Sequence, residues 1–124
     1  MLNRLSYVVI GRAIEVHKEL GPGLLELAYE ECLAHELQMA SLKFERQKPI
    51  ALKYKNLSLD CGYRIDFVIE DRLVVEIKSV EILTPVFEAQ ILTYMKLAQK
   101  PLGLLMNFNA VMLKDGIKRF IRSL

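Results

Sequence analysis

The fold of this chain is decided by the stretch YRIDFVIEDRLVVEIK, residues 63–78. It contains two apolar runs joined by a short charged connection, a pattern that predicts two neighbouring strands. Three ionisable side chains interrupt the apolar runs: Asp66, Glu76 and Lys78. Burying a charge costs several kcal/mol unless the charge is paired or binds a metal. These residues therefore indicate a functional site or a buried ion network.

The site hypothesis depends on which face of each strand carries the acidic residues. Asp66 stands opposite Glu76 on one face only if Val68 pairs with Val74. That pairing requires an odd number of residues between the strands, and the connection formed by residues 70–72 supplies three. A two-residue hairpin would instead place the two carboxylates on opposite faces, because a shift of one residue reverses every side chain.

Two neighbouring carboxylates repel each other, and one takes up a proton unless a cation neutralises the pair. Mg²⁺ suits such a pair because it prefers oxygen ligands and binds one or two carboxylates together with substrate phosphate. Lys78 points to the same face as Glu76 and would stabilise developing negative charge. This set of groups fits phosphodiester hydrolysis. Spacing alone leaves an ion network, in which Asp66 or Glu76 pairs with Lys78 or Arg64, equally open.

The remaining apolar periodicity predicts three helices and several further strands. The predicted helices are Arg4–Leu20, which ends at Gly21-Pro22-Gly23, then Leu24–Ala40, and a third from Pro85 to Gln99 with Thr84 as its N-cap. The predicted strands are Phe44–Tyr54, an adjoining hairpin arm at Leu57–Asp60, a buried strand at Leu102–Phe108, and a final hairpin of Ala110–Leu113 and Ile117–Ile121 around Asp115-Gly116. We expect the strands before residue 78 to pair as antiparallel neighbours in sequence order.

Composition places the chain among ordinary globular proteins. Its 124 residues, 52% hydrophobic and 26% charged, predict a single domain over residues 1–124. Cys32 and Cys61 lack metal-ligand spacing, and no signal peptide is visible, so we expect a cytoplasmic protein. No apolar run is long enough to cross a bilayer, so no membrane partner is expected. The net charge of +2 discriminates little between partners.

Several short motifs give the chain a family resemblance. The chain resembles the PD-(D/E)xK nuclease superfamily, and more closely the small bacterial GxxExxY proteins assigned to it. The matching residues are Gly23-Leu24-Leu25-Glu26-Leu27-Ala28-Tyr29 for GxxExxY, Asp66 for the first acid, Glu76-Ile77-Lys78 for ExK, and Gln90-Ile91-Leu92-Thr93-Tyr94, which is similar to a QxxxY motif of the superfamily.

The resemblance implies an α/β (α+β) restriction-endonuclease-like core, with a mixed central sheet of four to five strands flanked by helices. It implies that Asp66, Glu76 and Ile77 bind the metal and that Lys78 is the catalytic lysine. Glu26 would complete the acidic cluster directly or through water.

Four further residues are candidates to line the site or bind substrate: Gln90, Tyr94, Arg64 and Tyr29. From residue chemistry alone, Glu26 is also a favourable charge at a helix N-terminus. A tyrosine on an apolar face, such as Tyr29, is more often a core residue than a site residue, and a residue such as Gln90 is more often a solvated helix residue.

The functional expectation is a nuclease that uses Mg²⁺ or Mn²⁺ to cleave nucleic acid, with DNA the first choice and RNA the second. The alternative is a nuclease-like module without turnover that binds nucleic acid or protein. The small size leaves little chain for a substrate clamp. A homodimer would help so small a domain to cover a duplex.

Overall fold

The computed structural model, which describes residues 2–123, contains three α-helices and seven β-strands. The helices are α1 (Leu2–Leu20), α2 (Glu26–Met39) and α3 (Pro85–Ala98). The strands are β1 (Phe44–Pro49), β2 (Leu52–Tyr54), β3 (Leu57–Leu59), β4 (Arg64–Ile69), β5 (Leu73–Lys78), β6 (Leu102–Asn107) and β7 (Ile117–Ile121).

The main sheet has five strands in the order β1-β4-β5-β6-β7. β5 and β6 are parallel, and every other neighbouring pair in this sheet is antiparallel. A parallel pair needs a crossover, and α3 provides it between β5 and β6. The mixed sheet flanked by helices confirms the predicted α/β architecture.

Each face of the sheet packs against helices through a separate apolar core. α1 and α2 cover one face, where Phe67, Val75 and Met106 lie among the buried residues. α3 covers the other face, where Val74 and Leu105 are buried with residues of the helix. Because β5 and β6 are buried on both faces, they are almost continuously apolar, and Glu76 is an exception within them. None of the helices in the part of the chain described is long and apolar enough to cross a membrane.

The connection between β4 and β5 has the odd length on which the predicted site depends. Val68 lies opposite Val74, and the three residues 70–72 join the strands, as predicted. Glu70 and Asp71 both have positive φ angles, 52° and 57°, and the amide of Arg72 donates to the carbonyl of Ile69. This tight turn fixes the register that brings the two acidic residues together.

The predicted strand Phe44–Tyr54 is wrong, because the chain leaves the main sheet after Pro49. Ile50 turns into the core beneath α3, and its amide donates to the carbonyl of Tyr63. β2 and β3 then form a separate two-stranded sheet. The hairpin predicted at Leu57 is therefore present, but it lies outside the main sheet. β1 therefore pairs with β4, so the expected pairing in sequence order holds for β2–β3 and β4–β5 but is wrong for β1.

The predicted final hairpin is wrong in its first arm. Residues 110–112 form no strand, and Leu113–Gly116 is a short 3₁₀ helix. Leu113 is buried in the core beneath α1 and α2, which draws this segment away from the sheet. β7 instead pairs with β6.

Gly116 and Gly11 should respond to alanine in opposite directions. A Cβ at position 116 would lie 2.4 Å from the carbonyl oxygen of Asn107, so Gly116→Ala should lower the free energy of unfolding by about 1–3 kcal/mol. A Cβ at Gly11 meets nothing within 4 Å in an exposed part of α1, so Gly11→Ala should stabilise by about 0.5–1 kcal/mol. Urea unfolding of both variants measures this, and equal effects would contradict the close packing at Gly116.

Candidate active site

The site lies where β4 and β5 part. Regular pairing stops at Phe67 and Val75, and the next residues on this side are Asp66 and Glu76. The amide of Asp66 donates to Oε2 of Glu76 at 2.8 Å, and the amide of Ile77 donates to Oδ2 of Asp66 at 2.9 Å. Each carboxylate thus replaces a main-chain hydrogen bond across the gap. The two predicted acidic residues are brought together at one point of the sheet.

The environment of this pair opposes two negative charges. Glu76 is only 3% exposed, and burial, followed by the charge of Asp66, raises its pKa from 4.5 to about 8. Burial also raises the pKa of Asp66, although the hydrogen bond from the Ile77 amide partly offsets the increase. Near neutral pH the pair therefore holds a proton in the absence of a cation. A divalent cation would replace that proton.

Lys78 stands beside the carboxylates without closing an ion pair. Its charge lowers the pKa values of both Asp66 and Glu76, so it lies within electrostatic reach of them. Its ammonium lies 5.0 Å from the centroid of the Phe87 ring on α3. Among residues 4–123, no salt bridge within 4 Å joins Lys78 to a carboxylate. The amine is therefore available to a ligand.

Glu26 reaches the rim of the site from the first turn of α2. Its Oε2 accepts a hydrogen bond of 3.2 Å from the amide of Ser79, immediately after β5. The Ser79 hydroxyl also donates to the carbonyl of Leu24 at 2.6 Å, which ties the segment before α2 to the end of β5. The charge of Glu26 contributes to the raised pKa of Glu76. Glu26 therefore faces the pair but stays exposed.

Tyr29 lies in the core and supports the loop that precedes Glu26. Its hydroxyl donates to the carbonyl of Gly21 at 2.6 Å and accepts from the amide of Leu24 at 3.0 Å. Its fully buried ring stacks on Phe108 with 4.6 Å between centroids. The structure therefore places Tyr29 beneath the loop, where it fixes the start of α2 and does not line the carboxylate pair.

α3 brings Tyr94 and Gln90 towards the other side of the site. Burial raises the pKa of Tyr94, and the charge of Glu76 raises it further, so the phenol lies near the carboxylates. A hydrogen bond from Gln90 acts in the opposite direction on Tyr94. The Oε1 atom of Gln90 is buried and has no hydrogen-bond partner among the described residues. An unsatisfied buried oxygen is costly, so it is suited to receive a ligand or water.

Arg64 and Ile77 have simpler environments. The guanidinium of Arg64 is exposed at the mouth of the site and donates to the carbonyl of Gln47 at 3.4 Å. The side chain of Ile77 is buried in the core beneath α1 and α2, so a metal would meet only its main chain. Arg64 is therefore exposed beside Gln47, two residues before Asp66.

A network of polar residues behind Asp66 was not predicted from the sequence. Nε2 of Gln47 donates to Oδ1 of Asp66 at 3.2 Å and to Oε1 of Glu30 at 2.7 Å. Glu30 is buried and also accepts from the guanidinium of Arg46. The sequence signal for Glu30 is its position four residues after Glu26, on the same side of α2. Gln47 carries no such signal.

The backbone is distorted where Gln47 meets Asp66. Gln47 has a φ of 50°, in the left-handed region that non-glycine residues rarely adopt. Pairs exist on both sides of this position in the β1–β4 ladder, but residues 47 and 66 do not pair. Ile65 packs with Val68 beneath α3, although strict alternation would place these two residues on opposite faces. Strain of this kind is typical of functional sites.

The donors fit a hard divalent cation with an incomplete protein ligand set. Asp66 and Glu76 supply oxygen ligands, and burial, which raises both pKa values, disfavours two negative charges on the pair. Among the described residues, no three His, Cys, Asp or Glu side chains form a metal-binding group. Mg²⁺ accepts such a site because it keeps several waters and binds one or two carboxylates.

Comparison with known proteins gives one match. The family model described as the PD-(D/E)XK nuclease superfamily matches residues 3–120, a range that contains every candidate site residue. The comparison with curated proteins found no match, and the comparison with solved structures found none. Because the family model covers nearly the whole chain, and the chain carries the sheet with its acidic pair, this protein belongs to the PD-(D/E)XK nuclease superfamily.

Proposed function

We propose that this chain is a metal-dependent nuclease that hydrolyses phosphodiester bonds, with DNA as the first substrate to test. The observation that carries the proposal is the buried Asp66–Glu76 pair, in which each carboxylate accepts a main-chain amide and burial raises both pKa values. A divalent ion would relieve the repulsion between two buried, neighbouring carboxylates. Family membership supports hydrolysis of nucleic acid as the use of that ion.

Each site residue then has a role that follows from its position. Asp66 and Glu76 would hold Mg²⁺ or Mn²⁺, with the main chain of Ile77 as a further donor. The bound ion would supply Lewis-acid polarisation of the phosphoryl group and neutralisation of its charge. Lys78, which forms no ion pair with a carboxylate within residues 4–123, would orient the attacking water and stabilise the charge that develops on phosphate. Glu26 would act through water at the rim.

We also assign the chain to the GxxExxY group on the structural roles of that motif. Gly23 has a φ of 95°, which favours glycine, and so lets the loop turn sharply before α2. Tyr29 bonds this loop at Gly21 and Leu24. Together they place Glu26 against the end of β5. Gly23 and Tyr29 therefore both serve to position the Glu26 carboxylate.

Removal of the Lys78 amine should slow cleavage strongly, whereas removal of a matched lysine should not. Lys78→Ala should reduce the rate by roughly 10²–10³-fold, because the amine stabilises developing charge. Lys100→Ala is the control, since Lys100 pairs with Asp71 in the turn at the other end of the β4–β5 hairpin. Single-stranded, duplex and branched DNA and RNA are incubated with Mg²⁺ or Mn²⁺ and analysed on denaturing gels.

Two outcomes of this experiment count against hydrolysis by the proposed site. Equal cleavage by wild type and Lys78→Ala would exclude the lysine mechanism. Binding of nucleic acid with Ca²⁺ but no cleavage with Mg²⁺ or Mn²⁺ would favour the alternative, a nuclease-like module that binds without turnover.

Glu76→Gln should stabilise the metal-free protein at high pH but not at low pH. The unfolded chain loses the Glu76 proton near pH 4.5, whereas the folded chain keeps it to about pH 8, so wild-type stability falls across that window. Glutamine can still accept the hydrogen bond from the amide of Asp66 but carries no charge. In EDTA, the variant should therefore exceed wild type by up to about 5 kcal/mol at pH 8.5 and match it near pH 4.

Urea unfolding at both pH values, with and without Mg²⁺, measures this difference. Mg²⁺ should raise the stability of wild type more than that of Glu76→Gln, because the ion compensates the charge that glutamine lacks. Glu45→Gln, on the exposed side of β1, is the control and should change stability by less than about 0.5 kcal/mol at either pH. A pH-independent difference at position 76 would show that Glu76 is not buried as described.

A further inference from the structure

The β2–β3 hairpin stands apart from the body of the protein. It forms its own two-stranded sheet between Ile50, where the chain leaves β1, and Tyr63, where it returns to β4. All of β3 and most of β2 are exposed. An isolated two-stranded hairpin is marginally stable in water, so exposed apolar residues on it require an explanation. We call residues 51–63 the arm.

Large apolar and basic side chains alternate from Leu52 to Lys55, and apolar side chains are exposed along the rest of the arm. Tyr54 is 57% exposed and Tyr63 is 43% exposed, and Leu57 and Leu59 are also exposed. The ammonium of Lys55 lies 5.4 Å from the centroid of the Tyr54 ring. Lys53 and Lys55 are the basic residues of the arm, and its single acid, Asp60, accepts a hydrogen bond from the amide of Gly62.

The base of the arm adjoins the carboxylate pair. Pro49 pairs with Arg64, only two residues from Asp66. The Tyr63 ring makes an edge contact with Tyr94, with 6.2 Å between centroids and an angle of 61°. The pKa of Tyr94 is raised by burial and by the charge of Glu76, so Tyr94 lies near that carboxylate. The exposed ring of Tyr63 therefore contacts a residue that lies near Glu76.

We propose that the arm binds unpaired nucleotides and presents them to the Asp66–Glu76 pair. Tyr63 stacks on a base beside the cleaved bond and Tyr54 stacks on a base farther along the strand, while the arm lysines and Arg64 meet phosphates. Exposed rings alternating with cations are suited to single strands, because each unpaired base offers a free face for stacking. Bases inside a duplex have both faces covered. The inference rests on the proposed function and names its substrate class.

The arm offers a surface for substrate that the small size of the chain did not suggest. The sequence placed residues 52–54 in the predicted strand Phe44–Tyr54, with Tyr54 on its half-buried face. The structure instead frees these residues from the sheet and leaves Tyr54 exposed. A short projection of this kind can contact several nucleotides without an added domain.

Binding of a fluorescently labelled oligonucleotide of about 12 nucleotides, alone and as a duplex, tests the proposal. Anisotropy is measured with Ca²⁺ or EDTA, which separates binding from cleavage. Wild type should bind the single strand more tightly than the duplex. Tyr63→Leu and Tyr54→Leu should each weaken single-strand binding by roughly 5-fold or more, because leucine keeps apolar area but cannot stack.

Two matched variants show whether the effect belongs to the rings of the arm. Tyr63→Phe keeps the ring and should retain binding. Tyr7→Leu removes a tyrosine that is 79% exposed on α1 and should have no effect. Because Tyr63 contacts Tyr94, urea unfolding of Tyr63→Leu checks its fold. Tyr54→Leu remains decisive if that variant is unstable.

Equal affinity for single strand and duplex, or unchanged binding by both leucine variants, would overturn the proposal. The cleavage assay tests the proposed nuclease activity separately from binding by the arm. Binding through the arm without cleavage would leave the arm in place and remove the nuclease assignment. Cleavage of a duplex with no contribution from Tyr54 or Tyr63 would support the nuclease activity and exclude the role of the arm. If neither oligonucleotide binds, the arm does not recognise nucleic acid.

Discussion

The site depends on two hydrogen bonds, one from the amide of Asp66 to the Glu76 carboxylate and one from the amide of Ile77 to the Asp66 carboxylate. Two strands that would otherwise continue their ladder are held apart, and carboxylate oxygens take the place of main-chain carbonyls. Because each carboxylate is satisfied by a buried amide, the two acids stay close in spite of their repulsion. The register that allows this comes from the three-residue turn at the far end of the hairpin. A change of one residue there would separate the pair.

Residues distant in the sequence support the pair from several sides. Gln47, fixed by buried Glu30, bonds Asp66 from β1. The start of α2 places Glu26 at the end of β5, and α3 contributes Tyr94 near Glu76. The positive φ of Gln47 is unfavourable for a non-glycine residue, so the surrounding contacts must hold the backbone in this conformation. A site assembled in this way needs both apolar cores intact, since each core fixes one of the supporting helices.

Sequence patterns predicted those parts of the fold that follow from regular periodicity or from the odd number of residues between β4 and β5. The helices, the buried β6 and the pairing of Val68 with Val74 belong to this class. The break at Ile50 could not be predicted, because apolar residues continue to alternate through Tyr54 even though the chain has left the sheet. Leu113 looked like part of a strand, but burial beneath the helices governs its place. Gln47 owes its role to an unusual backbone angle that composition does not reveal.

The direction of the pKa shifts separates a functional site from a structural ion network. In a closed ion pair, a neighbouring cation lowers the pKa of a carboxyl group, as Arg46 does for Glu31 and Lys100 does for Asp71. Asp66 and Glu76 show the opposite direction, although Lys78 is near enough to lower both values in part. A structural network would place the lysine between the acids and cancel the cost of burial. Here burial outweighs the effect of Lys78 and both pKa values stay raised, which favours the site over a closed ion network.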